Sequence, residues 1–213
     1  MLFLSLLSSV SNGDALSAML NHDGWTDMGS SEESYGTVSA RHKPLDGLDC
    51  LEAQATTSLD ADVMKAVILD IEGNSDWSSA DLTLSEVLSA RNGRIDYVQV
   101  LDVPSPMSDR MWVLRANVKT DAEGWHFIWQ RIEGTEYERV TEVRTANPDA
   151  VEISANVGAW SLLPGEGGET VARFRSCNDV GGNIPKWAGE KAARALLPNN
   201  IKDLFVEAEK RGG

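Results

Sequence analysis

Gly158-Ala159-Trp160-Ser161-Leu162-Leu163-Pro164 reads as a strand that ends in a turn. Residues 170–179 read as a second strand, across a turn rich in glycine (Gly165, Gly167, Gly168). Gly181-Gly182-Asn183-Ile184-Pro185-Lys186-Trp187 then breaks the sheet and opens a long helix near Ile184. In that helix Trp187, Ala188, Lys191, Ala192, Ala195, Leu196, Ile201, Leu204, Phe205 and Ala208 recur at helical spacing. Pro185 suits a first turn, where its missing N–H costs nothing, and Pro198 should kink the helix. Two strands feeding one long carboxyl-terminal helix is the layout of a sheet gripping a helix. The space between a curved sheet and such a helix suits an apolar ligand. Ala188, Ala192 and Ala195 keep part of the inward face small, which fits an unfilled cavity and close helix–sheet packing alike.

Upstream, the strand period dominates. Residues 34–43 and 48–57 read as a hairpin across a turn at 44–47. Ser58 or Asp60 can cap a helix through Val63, Met64, Val67, Ile68 and Ile71, and Gly73-Asn74-Ser75-Asp76 stops it. Residues 82–90 and 94–102 form a second hairpin on the Asn92-Gly93 turn, and 111–120 and 125–133 a third. Pro104 and Pro106 mark a loop, residues 134–149 are polar and turn-rich, and 151–163 form the strand that reaches Pro164. Ser30 to Ser34 reads as a polar loop before the first strand, preceded by a short helix or tail.

With 213 residues, 42% of them hydrophobic, the chain can build one large domain with a real core. The formal charge of -14 repels nucleic-acid phosphates and anionic leaflets, so no nucleic-acid partner is expected, and any membrane contact is apolar and transient. Seven tryptophans suit core filling and the walls of apolar pockets. Leu2 to Val10 is apolar and Ala15-Leu16-Ser17-Ala18 resembles a cleavage site, but no basic residue precedes them. A degenerate signal peptide and a plain amino-terminal helix both fit, so periplasmic, secreted and cytoplasmic locations stay open for a soluble chain.

No nucleophile elbow, phosphate loop, dinucleotide fingerprint or zinc pattern is present, and no cofactor or metal is expected. Arg115 sits inside the apolar run Trp112-Val113-Leu114-Arg115-Ala116. Periodicity slightly favours an outward Arg115; turned inward it needs a partner, for which Glu86 is the candidate. Such a pair at the end of a cavity could anchor a ligand's polar head.

Taken in order, several pieces resemble a START domain of bacterial type, the lipid-transfer branch of the helix-grip (SRPBCC) superfamily. They are Tyr35-Gly36-Thr37-Val38, Leu48-Asp49-Cys50-Leu51-Glu52-Ala53, Asp76-Trp77, the run from Val103 to Arg110, Gly158-Ala159-Trp160-Ser161-Leu162, and Gly182 to Trp187. The resemblance covers residues 25–211. It implies an α+β helix-grip fold, a curved antiparallel sheet wrapped around the carboxyl-terminal helix, with residues 1–24 as a tail, degenerate signal or short helix and 25–213 as the lipid-binding domain. It implies a monomeric, non-catalytic carrier or sensor of one lipid or sterol-like molecule, with the last helix as lid. The ligand-binding set expected is Glu86, Tyr97, Trp112, Arg115, Trp129, Trp160, Trp187, Ala188, Lys191, Ala192 and Ala195. The family often has an acidic residue after the loop arginine, whereas Met111 follows Arg110 here. The alternative is a polyketide cyclase or aromatase of the same superfamily, with Tyr97, Glu86, Arg115 or His126 as acid or base. In a helix-grip sheet Cys50 and Cys177 would be neighbours, and a bond between them is the less expected outcome.

Overall fold

The alternation of apolar and polar residues builds one ten-stranded, largely antiparallel sheet. It is seen in a computed structural model that describes residues 11–45, 48–179, 181 and 186–213, with the backbone alone for 186–193 and 195. The strands are β1 (Thr26–Glu33), β2 (Gly36–Leu45), β3 (Leu48–Thr57), β4 (Leu82–Arg91), β5 (Arg94–Leu101), β6 (Arg110–Thr120), β7 (Trp125–Ile132), β8 (Val151–Glu152), β9 (Asn156–Pro164) and β10 (Thr170–Asn178). Their order is β1-β2-β3-β10-β9-β7-β6-β5-β4, and β8 pairs parallel with β6. The helices are α1 (Asn12–Leu20), α2 (Ala61–Leu69), α3 (Asn74–Trp77), α4 (Glu138–Ala146) and α5 (Lys186–Gly212). This is the expected α+β helix-grip architecture, an open antiparallel sheet holding a carboxyl-terminal helix. None of the described helices is long and apolar enough to cross a membrane.

The inner face of the sheet meets α2 and α5. Leu51, Ala53, Tyr97, Leu114, Phe127, Trp129, Trp160 and Leu162 pack there with Met64, Val67 and Ile68 of α2 and Leu197, Ile201, Leu204 and Phe205 of α5. The outer face is covered in two places. Val140 and Val143 of α4 lie on Val98, Val100, Met111 and Val113, and Ala15 and Met19 of α1 lie on Val157, Ala159, Cys50 and Cys177. The Lys43 ammonium donates to the Ala18 and Asp23 carbonyls at 2.7 and 2.5 Å, which satisfies the end of α1 and the chain leaving it.

Cys50 and Cys177 stand directly opposite each other in the β3–β10 ladder, with Cα atoms 4.1 Å apart, and they are disulfide-bonded. The expected neighbourhood is therefore present, and the bond thought less expected is formed. Adjacent antiparallel strands bring facing Cβ atoms within bonding reach.

Several local expectations change. Residues 30–33 are the end of an edge strand, β1, whose mostly exposed side chains leave no alternation to read, and Ser34 begins the turn to β2. The stretch 134–149 contains α4, whose apolar face is only Val140 and Val143. Its arginines are satisfied by carboxylates from other elements, Arg139 by Glu86 and Arg144 by Glu152. The strand read over 151–163 is broken into β8 and β9, and the stop at 73–76 is the short α3. The start of the last helix at Ile184 and Pro185 lies outside the described residues.

Candidate functional site: an aromatic cavity under the last helix

Four of the five consecutive strands β10-β9-β7-β6-β5 send aromatic rings to the inner face. Tyr97 (β5), Phe127 and Trp129 (β7), Trp160 (β9) and Phe174 (β10) form a continuous wall with centroids 4.8 to 6.5 Å apart. Gly158 makes the wall feasible: a Cβ there would lie 2.0 Å from Trp129 Cζ2, so the indole lies flat across a strand with no side chain. The Trp129 N–H donates to Asn156 Oδ1 at 2.9 Å, which fixes the ring.

The wall bounds a cavity of about 130 Å³ between sheet, α2, α3 and α5. Its buried part is Tyr97, Gln99, Phe127, Trp129 and Trp160; its partly exposed mouth is Asn74, Ser78, Asn200 and Asp203. Asp203 on α5 ties the mouth together by accepting the Ser79 backbone N–H at 2.7 Å. Behind the wall runs a hydrogen-bond chain. The Trp112 indole donates to Gln99 Oε1 at 2.9 Å, Gln99 Nε2 donates to Ser85 Oγ at 2.9 Å, and the Ser85 hydroxyl donates to the Ile71 carbonyl at 2.5 Å. At the cavity the Tyr97 hydroxyl has no such partner among the described residues; on α3 the Trp77 Nε1 is sealed in without one. Burial pushes the Tyr97 phenol far up from its usual value, so it remains a donor.

α5 is held to the rest of the inner face at several points. The Tyr35 hydroxyl donates to the Pro198 carbonyl at 3.0 Å, and its ring meets Phe205 edge-on at 5.9 Å. Burial first, then the charges of Glu33 and Asp203, raise the Tyr35 pKa to about 12. Nearer the start of the helix, Arg194 donates to Asp49 Oδ2 at 2.5 Å, beside His42, which lies 3.2 Å from Asp49 Oδ1.

Of the residues expected to bind a ligand, Tyr97, Trp129 and Trp160 line the cavity, and Trp112 stands behind it holding Gln99. The side chains of Trp187, Ala188, Lys191, Ala192 and Ala195 lie outside the described residues. Arg115 and Glu86 are on the outer face and do not pair. Arg115 reaches Asp96 with Nε and Nη2 at 2.8 and 2.7 Å, while Glu86 accepts from Arg139 of α4. The period of two explains it: Arg115 faces the same side as its partner Asp96, opposite to Tyr97. A bulge in β4 between Val87 and Ser89 shifts the facing around Glu86. His126 is also outside, between Ser161 Oγ at 2.9 Å and Asp121 Oδ1 at 3.2 Å. Of the four acid–base candidates, then, Tyr97 alone faces the cavity. Sequence reasoning gave no role to Gln99, Ser85 or Trp77. Gln99 carried a usable signal, a polar residue inside the apolar run Val98-Gln99-Val100. No cluster among the described residues has the groups to hold a metal ion.

No family model and no curated protein matches the sequence. Solved structures do. A STAR-related lipid transfer protein fragment from Xanthomonas axonopodis superposes with a TM-score of 0.71 at 18% identity, over 88% of this chain and 99% of that one. Human STARD10 gives 0.74 at 15% identity, over 95% and 81%. The Zhui aromatase/cyclase from a Streptomyces species gives 0.56 at 16% identity, over 78% and 96%. The chain has the START-type helix-grip fold.

Proposed function

We propose that the chain is a non-catalytic carrier or sensor of a lipid or sterol-like molecule, held between the sheet and α5 and acting as a monomer with transient membrane contact. The observation that carries this reading is the aromatic cavity under α5, in a fold shared with lipid transfer proteins. Binding would draw mainly on apolar burial, about 25 cal/mol per Å² removed from water. The described space of 130 Å³ takes one end of such a ligand; pockets for whole ligands of this size run to several hundred Å³. The amino-terminal half of α5 therefore serves as the lid, and the Arg194–Asp49 ion pair is its latch to the sheet. The disulfide favours an oxidising compartment, so we place the carrier outside the cytoplasm.

Native mass spectrometry of protein purified without added lipid tests the reading. A co-purifying apolar adduct, removed by organic extraction, is expected. Protein that carries no adduct and takes up no lipid from vesicles would rule the carrier out. A second reading, an enzyme like the cyclases, is favoured by the likeness to the Streptomyces protein and by Tyr97 facing the cavity. Turnover of a polyketide-type substrate that is lost in Tyr97→Phe would establish it instead.

A further inference from the structure

We infer that the ligand places an uncharged hydrogen-bond acceptor in the cavity, a carbonyl or hydroxyl on an apolar skeleton, and that Tyr97 and Gln99 bind it. This rests on the carrier reading and narrows the ligand class. The first support is the pair of unspent donors. The Tyr97 hydroxyl lines the cavity and is bonded by no described residue, on a side chain 4% exposed. Enclosed polar groups are nearly always satisfied, so an unspent donor facing a cavity calls for an acceptor from outside the chain.

Gln99, which also lines the cavity, supplies the second donor. Its oxygen must face the Trp112 N–H, which fixes the amide's orientation, and one of its two N–H groups is taken by Ser85. The other remains free. The second support is charge. Among the described lining residues there is no Lys, Arg or His, and the one charged residue is Asp203, already accepting from Ser79. A phosphate or carboxylate would leave water for an aromatic wall with no counter-cation among the described residues, next to a carboxylate. A quaternary ammonium would find aromatic faces, but it would leave both donors unmet. A neutral acceptor satisfies the donors and needs no counter-charge.

The test uses the full chain and five probes with the same ten-carbon chain: decane, decanol, methyl decanoate, decanoate and decylphosphocholine. Affinities are read by tryptophan fluorescence and calorimetry. Decanol and methyl decanoate are expected to bind at least tenfold more tightly than the two charged probes. Tyr97→Phe, which keeps the ring and removes only the hydroxyl, should weaken methyl decanoate about fivefold, the loss of one hydrogen bond, and weaken decane much less, with little change in melting temperature. Charged probes that bind as well as the neutral ones, or a variant that weakens decane and methyl decanoate equally, would overturn the inference and leave the carrier reading standing. Binding of none of the probes, decane included, would remove both.

Discussion

A methyl group added at Gly158 would sit 2.0 Å from the Trp129 ring, so Gly158→Ala must push the indole off β9 and away from Asn156. Overpacking of this kind costs about 1–3 kcal/mol. The variant should unfold at lower denaturant with an unchanged slope, and its tryptophan emission should shift. Asp96 is the other residue with a sharp expectation. Burial alone would raise its carboxyl, but hydrogen bonds from Arg115 and Tyr137 outweigh that and hold it below the ordinary 3.8. A lowered folded-state pKa contributes stability that is fully present above the unfolded value and is lost as pH falls through the folded one. Asp96→Asn should therefore cost about 2–4 kcal/mol at neutral pH, by leaving Arg115 without its main partner. The gap to the parent should close below the ordinary carboxylate range. A gap that stays constant from pH 7 to pH 3 would show that the charge of Asp96 does not contribute.

At the scale of elements, the latch and the lid belong together. Arg194 is the described side chain by which the first half of α5 reaches the β2–β3 hairpin, through Asp49. Asp49→Ala is expected to speed release of a bound fluorescent lipid to vesicles several-fold, with little change in melting temperature, because the pair is partly exposed. Equal release rates in the two proteins would remove the latch. The elements also show what sequence can reveal. β3, β5, β6, β7 and β10 were legible from apolar runs bounded by turns, several of them buried on both faces, as were the Asn92-Gly93 turn and the Asp60 cap. β1 and α4 were not, since one buries almost nothing and the other buries two valines. The aromatic wall was legible as residue types on predicted strands. Arg115 lies outward, as its periodicity favoured, but the side of Glu86 was not legible, because the register shifts in β4 change the facing along that strand.

Across the whole molecule, the Cys50–Cys177 bond closes a sequence separation of 127 residues. In chain-entropy terms a loop that long is worth up to about 5 kcal/mol. Reduction, or the double change of both cysteines to serine, should lower the denaturation midpoint strongly. Thiol counting on the unfolded protein should find none without reductant and two with it. A count of two free thiols without reductant would remove both the bond and the argument for export.

The strand order has a consequence for how the chain is made. β1 to β3 and β4 to β7 are two meanders, each assembled from neighbours in sequence. The strands that join them, β9 and β10, are the last of the ten to be made, just ahead of the helix they hold. Until they arrive, β3 and β7 each present a bare pairing edge, and the tryptophans that will face the cavity have no helix over them. Closure of the sheet is a late, long-range event of the slow kind. The growing chain is thus most prone to stick to its neighbours just before β9 and β10 emerge, and any stall in translation around residue 150 would prolong that hazard.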